Sequence, residues 1–209
     1  MWQVIHSALL RLDESAPQIR RMIPARITDD VASFFGNRIN RAHADRRYLI
    51  ETILPAFRAA RPRRVLFVGC RPYTRPYEAF FEDAEYWTLD VEPKVARWGS
   101  RLHRTGDVSM ADAIFERGQF DMILLNGVLG WGVDSDEDIS RTLGALWRVM
   151  QPGGLLLVGW NRGRCADPLE IPPARQLFRH GPALGLPARK GFADSTHVFD
   201  LLTARAQPD

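Results

Sequence analysis

A four-residue apolar run, Val65-Leu66-Phe67-Val68, is led in by Arg63-Arg64 and broken by Gly69. No other stretch constrains the fold as strongly. Two of the four residues are β-branched and none is polar, which suits a parallel strand buried on both faces. The glycine permits a tight turn at the carboxyl edge of the sheet, where backbone can approach a ligand. A second run, Trp87-Thr88-Leu89, ends in Asp90, 21 residues after Gly69. That spacing fits one βαβ unit whose second strand brings an acid to a ribose. One glycine and one acid do not define a ligand, so the rest of the chain must narrow the reading.

The alternation of strand and helix signals continues downstream. Thr74 and Pro76 suit the start of a short helix after Gly69. Val95 to Trp98 begin a helical turn, Thr105-Gly106-Asp107-Val108 forms a second acidic turn, and Ala111, Ile114 and Phe115 lie on a helix ending at Gly118. Phe120-Asp121-Met122-Ile123-Leu124-Leu125-Asn126-Gly127 is the clearest strand, apolar at four consecutive positions and closed by Asn-Gly. Acids between Asp134 and Asp138 open a helix with Ile139, Leu143, Leu146 and Val149 on its buried face. Gln151-Pro152-Gly153-Gly154 stops that helix and Leu155 to Val158 is the next buried strand. A Pro-, Gly- and Arg-rich loop from Trp160 to Pro173, a helix near Ala174 to His180 and a last strand near His197 to Thr203 complete the pattern.

Ahead of this alternation, residues 1–60 read as helices. Trp2, Ile5, Leu9 and Leu12 recur at helical spacing, Thr28-Asp29-Asp30 caps a segment ending near Gly36, and a longer helix from Ile39 carries Tyr48, Leu49, Ile53, Leu54 and Phe57 inward. Pro55 is expected to kink or end it. The division is therefore 1–60, a helical extension serving as a packing layer or a lid, and 61–209, the α/β domain.

At 209 residues the chain accommodates one α/β domain with an appendage. Of its 28 basic residues all but Lys94 and Lys190 are arginine, yet they are interleaved with 25 acids and the net charge is only +3. A nucleic-acid footprint would gather them in patches, so no nucleic-acid partner is expected. Cys70 and Cys165 form no C-x-x-C pair and have no histidine at ligand spacing, so neither a metal site nor a disulfide framework is expected. With no secretory signal and no apolar run near ~20 residues, the chain reads as cytoplasmic, with no membrane association.

The stretch Leu146-Trp147-Arg148-Val149-Met150-Gln151-Pro152-Gly153-Gly154-Leu155-Leu156-Leu157-Val158, preceded by Phe120-Asp121-Met122-Ile123, resembles the helix, turn and strand of the class I S-adenosylmethionine-dependent methyltransferases, in particular their small-molecule branch. The resemblance runs from about Arg63 to the C-terminus. It implies a Rossmann-like sheet of seven strands, the last antiparallel, with helices on both faces. It also implies S-adenosylmethionine as cofactor. Asp90 would hold the ribose hydroxyls, and Asp107 with Val108 would stand where the adenine amino group is read. Gly69, Cys70, Arg71, Val91, Asn126 and Gly127 complete the implied cofactor contacts. The family's turn reads approximately "D-V-G-x-G-x-G", whereas here it is Phe67-Val68-Gly69-Cys70-Arg71-Pro72-Tyr73, with two glycines and the acid replaced. Arg71 either pairs with the cofactor carboxylate or points to solvent. Where many small-molecule members carry a histidine after the fourth strand, this chain has Trp131, whose indole nitrogen only donates.

Tyr48, Trp131 and Trp160 are the candidates for lining the acceptor pocket. His43, His103 and His197 are candidate bases, none of them assigned. The expected function is methyl transfer to oxygen or nitrogen of a small-molecule acceptor, with secondary metabolism as one setting. The alternative is an inactive methyltransferase-like binding or partner protein, and a homodimer is left open.

Overall fold

A computed structural model describes residues 43–207; the helices expected before residue 40 lie outside the described residues. Eight strands build the sheet: β1 (Arg64–Val68), β2 (Glu85–Asp90), β3 (Leu102–Thr105), β4 (Phe120–Asn126), β5 (Met150–Asn161), β6 (Phe178–His180), β7 (Arg189–Gly191) and β8 (His197–Ala204). Their order is β3-β2-β1-β4-β5-β8-β6, with β7 also paired to β8. β1 to β5 are parallel and β8 runs antiparallel to β5. The short β6 and β7 pair with opposite ends of β8. They thus share one lateral position, and the sheet is seven positions wide, as the resemblance implied.

β1 and β4 lie centrally and send alternate residues to opposite faces, as strand periodicity requires. Leu66, Val68, Ile123 and Leu125 join one buried cluster, whereas Val65, Phe67, Met122 and Leu124 join the other. Phe120 breaks the alternation and sits with Ile123. The break coincides with an irregularity in the pairing to β5, where Phe120 faces Met150 but Met122 faces Leu155, so the extra residues bulge from β5. Each fully buried aliphatic side chain contributes roughly 1.5–3 kcal/mol relative to exposure, so this central pair anchors both layers.

On the first face lie α3 (Ala111–Ile114), α4 (Asp136–Val149) and α5 (Pro172–Leu177). The Ser135 hydroxyl caps α4 by accepting the Asp138 amide at 3.1 Å, and Asp136, Glu137 and Asp138 occupy its first turn. On the second face a continuous helical rod is built from α1 (Ala44–Tyr48), a π-helical turn (Leu49–Ile53) and α2 (Leu54–Ala59). Pro55 does not end this rod. Proline removes one N–H from the ladder, and the wide turn before it absorbs the mismatch.

Two boundaries differ from expectation. The helix expected to reach His180 stops at Leu177, and Phe178–His180 becomes β6, because the outer edge of β8 offers it a ladder and the core takes the Phe178 ring. The segment after β1 is a 3₁₀ helix (Pro72–Phe81) with Pro76 inside it instead of at its start.

Candidate active site

At the carboxyl end of β1, Gly69 adopts φ +91°, a left-handed conformation that favours glycine, and a Cβ there would meet Val128 Cγ2 at 3.2 Å. Neither Cys70 nor Arg71 has a positive φ. The next turn is held by Thr74, whose hydroxyl accepts the Arg71 amide at 3.0 Å and donates to the Arg71 carbonyl at 2.9 Å. A side-chain hydroxyl thus closes this turn, and neither residue after Gly69 needs the left-handed conformation that favours glycine.

Asp90 ends β2 beside this turn and is only 7% exposed. Its Oδ2 accepts the Cys70 amide at 2.7 Å and Arg71 Nη1 at 3.2 Å; its Oδ1 accepts the Glu92 amide at 2.9 Å. These charge-assisted bonds offset the cost of burying the carboxylate. A carboxylate offers about four lone-pair sites, so one acceptor position remains. Arg71 Nη1 also reaches the Cys70 carbonyl at 2.6 Å, so the guanidinium folds back over the turn and the acid.

These groups open onto a cavity of about 550 Å³ at the carboxyl ends of the parallel strands. Gly69, Arg71, Asp90 and Val91 line one part of it, and Asp107, Val108, Asn126, Gly127 and Trp131 line more. Asp107 caps its own turn by accepting the Ser109 amide at 2.8 Å. Trp131 is 57% exposed, with the Arg164 guanidinium 4.0 Å from its ring centre. The start of the helical rod closes another side through His43, Asp45, Arg46 and Leu49, and Arg46 lies 3.9 Å over the Tyr73 ring. A second cleft, about 520 Å³, lies at the opposite, amino ends of β1 and β2 among charged groups such as the Arg64–Glu85 pair. It is remote from the glycine turn.

Three expected residues are absent from the cavity wall. Trp160 packs into the core on the other face of β5, with its indole N–H donating to Asp200 at 2.8 Å. Strand alternation is the cause, since Gly159 and Asn161 take the cavity side. Tyr48 turns instead toward Phe192 and Phe199, at ring distances of 5.8 and 6.4 Å. Cys70 contributes its amide while its thiol is buried beside His103, 4.0 Å away; burial and the nearby Asp90 push that thiol up to about 12. His103 also bonds Thr88 at 3.0 Å and is not part of the cavity wall.

His197 does line the cavity, at 7% exposure. The register of β8 against β5 sets it opposite Asn161, at the same edge as Asn126. Its Nδ1 lies 3.2 Å from Asn161 Oδ1 and its Nε2 3.1 Å from Asn126 Oδ1. Burial lowers its pKa to about 4, so the ring is neutral near pH 7. Nothing local in the sequence marks these three as neighbours, because they meet only through antiparallel pairing. Among the described residues no group of three His, Cys, Asp or Glu could hold a metal ion.

Residues 66–158 match a family model described as a methyltransferase domain. Among solved structures, the N-methyltransferase NodS from Bradyrhizobium japonicum WM9 superposes with a TM-score of 0.59 at 14% identity, covering 78% of this chain and 97% of that one. A TehB-like S-adenosylmethionine-dependent methyltransferase from Corynebacterium glutamicum gives 0.54 at 19% identity, covering 81% and 100%. The 16S rRNA N2 G1207 methyltransferase RsmC from T. thermophilus, in complex with AdoMet and guanosine, gives 0.50 at 14% identity, covering 69% of this chain and 36% of that one. The comparison with curated proteins found no match. Residues 66–158 are thus a methyltransferase domain, and the sheet that carries them is that of the class I enzymes.

Proposed function

We propose that the protein methylates oxygen or nitrogen of a small-molecule acceptor, with cofactor and acceptor meeting in the 550 Å³ cavity. The observation that carries this reading is Asp90: a nearly buried carboxylate, fixed by two backbone amides at the end of β2, with one acceptor position left for a ribose hydroxyl. Gly69 and Asn126 to Gly127 give close backbone approach along the adjoining strand ends, and Asp107 with Val108 is placed for the adenine. S-adenosylmethionine, when bound, supplies a methyl group on a positively charged sulfur. The protein's task is then to orient the acceptor and exclude water, and positioning alone can supply roughly 7 to 11 kcal/mol of the barrier.

The cavity's size suits a small ligand, and Val128, Val133, Tyr73, Trp131 and Phe199 give it apolar and aromatic walls. No helix among the described residues is long and apolar enough to cross a membrane. Residues 1–60 act in this reading as an extension covering the acceptor side, since the described start of the rod already closes the cavity there; residues 61–209 form the catalytic domain. The similarity to NodS, an N-methyltransferase, supports nitrogen as one acceptor atom. A place in secondary metabolism and a cytoplasmic location extend the same reading.

The Arg71–Asp90 pair favours a second reading, a binding protein whose ribose acid is permanently covered. Calorimetry with S-adenosylhomocysteine separates the two. Measurable binding that weakens in Asp90→Ala supports the enzyme; no heat and no thermal shift at millimolar ligand supports the covered site.

A further inference from the structure

Among the described residues two guanidinium groups line the cavity, those of Arg71 and Arg46, and they differ in how their charge is met. Arg71 pairs with Asp90 at 3.2 Å. Arg46 is half-buried and forms no ion pair with any described acid. Its guanidinium lies 3.9 Å over the Tyr73 ring, and beside it stands Tyr77, whose phenol burial keeps neutral. Asp45 precedes it in the chain, about 100° round the helix, and does not pair with it. Leu49, three residues on and fully buried, shares the face of Arg46 and seats it against the core. The end of β1 adds no acid: Phe67 stands where the resemblance places one, buried with its ring 5.6 Å from that of Tyr77. A half-buried cation without a counter-charge is costly. A carboxylate meets it through charge-assisted hydrogen bonds to its N–H edge, a contact compatible with an aromatic ring on its flat face.

We propose that Arg46 is the carboxylate-binding residue of the cavity. The carboxylate comes either from the methionine end of S-adenosylmethionine or from the acceptor. The chemistry at the guanidinium is the same, and experiment separates the two sources. The ligands named rest on the methyl-transfer reading, whereas the site itself rests on the unmatched charge of Arg46.

The probes are 4-fluorobenzoate and 4-fluorobenzamide, nearly alike in shape and different in charge. They are titrated by ¹⁹F NMR into the protein saturated with 5′-methylthioadenosine, the nucleoside part of the cofactor without its amino-acid end. Wild type is expected to bind the benzoate at least about fivefold more tightly than the benzamide. Arg46→Gln should lose that preference, and Arg46→Lys, which keeps the charge but not the planar fork, should restore part of it. No preference in wild type, a result that needs no variant, or the same preference in Arg46→Gln overturns the proposal. Repeating the titration with S-adenosylhomocysteine assigns the source: a preference that disappears means the cofactor carboxylate occupies Arg46, and one that persists means the acceptor's does. Calorimetry agrees with the first when Arg46→Gln weakens S-adenosylhomocysteine about tenfold or more and leaves 5′-methylthioadenosine unchanged, and with the second when neither changes. Failure of both nucleosides to bind wild type counts against the methyl-transfer reading instead, and the benzoate preference of the ligand-free protein still decides the carboxylate site.

Discussion

Asp90 is held by three donors in the protein itself, so under the proposed function a ribose would meet a carboxylate already aimed and largely desolvated. Asp90→Ala is expected to weaken S-adenosylhomocysteine by roughly tenfold to a hundredfold, about 1.5–3 kcal/mol, in a calorimetric titration. Arg71 addresses the acid and its own turn, which gives a different expectation from a contact with the cofactor carboxylate. Arg71→Ala should weaken S-adenosylhomocysteine and 5′-methylthioadenosine, which lacks that carboxylate, by similar factors. A loss confined to the former would show the guanidinium swinging to the methionine end. His197 makes stability depend on acid. Its folded pKa, about 4, lies below the ordinary 6.5, so the unfolded chain binds the proton more readily between those values. The stabilisation from burying the neutral ring is complete above pH 6.5 and is lost as pH falls toward 4, by about 2 kcal/mol on reaching pH 5. Melting curves at pH 7 and 5 should show a fall that shrinks in His197→Gln.

Among the elements, β5 carries both a core and a site. Val158 and Trp160 face the larger cluster, whereas Gly159 and Asn161 face the cavity, and the lack of a side chain at 159 admits Asn126 and His197. Gly159→Ala should therefore force both side chains aside and cost about 1–3 kcal/mol in urea unfolding. That burden on one strand explains what could be read beforehand. β1, β2, β4 and α4 were legible because uninterrupted apolar runs and a capped 3.6-residue stripe are properties of neighbouring residues. Asp90 and Gly69 were legible because a strand's end is where the run stops. β6 and β7 were not, since three residues such as Arg189-Lys190-Gly191 carry no period and become strands only because β8 offers an edge. Trp160 was misplaced by one position of alternation. His197 and Asn161 belong to one cluster only once an antiparallel register of 36 residues' separation is known.

Across the whole molecule, the outer third of the sheet is tied to its centre through one fully buried acid. Asp200 on β8 accepts from Trp160 on β5 at 2.8 Å, from Arg189 on β7 at 2.7 and 3.0 Å, and meets His180 on β6 at 3.1 Å. Arg189 extends the network to Asp167 at 2.7 and 2.8 Å, holding that carboxyl below its usual range. Removing the guanidinium strands a buried charge, so Arg189→Ala should cost about 3–5 kcal/mol and lower the melting temperature sharply. The helical rod joins core to cavity in another manner. Its wide turn holds one residue more than an α-helix would over the same height, and each residue of an α-helix advances the azimuth by about 100°. Deleting one residue between Leu49 and Ile53 would therefore turn the wide turn into a plain α-helical one of the same height, with Leu54 and Phe57 still seated and Asp45 and Arg46 still facing the cavity. A single codon can be lost there with both flanks unmoved, so this stretch of the rod tolerates a change of length that neighbouring turns, closed by regular α-helical bonds, would pass on as a rotation.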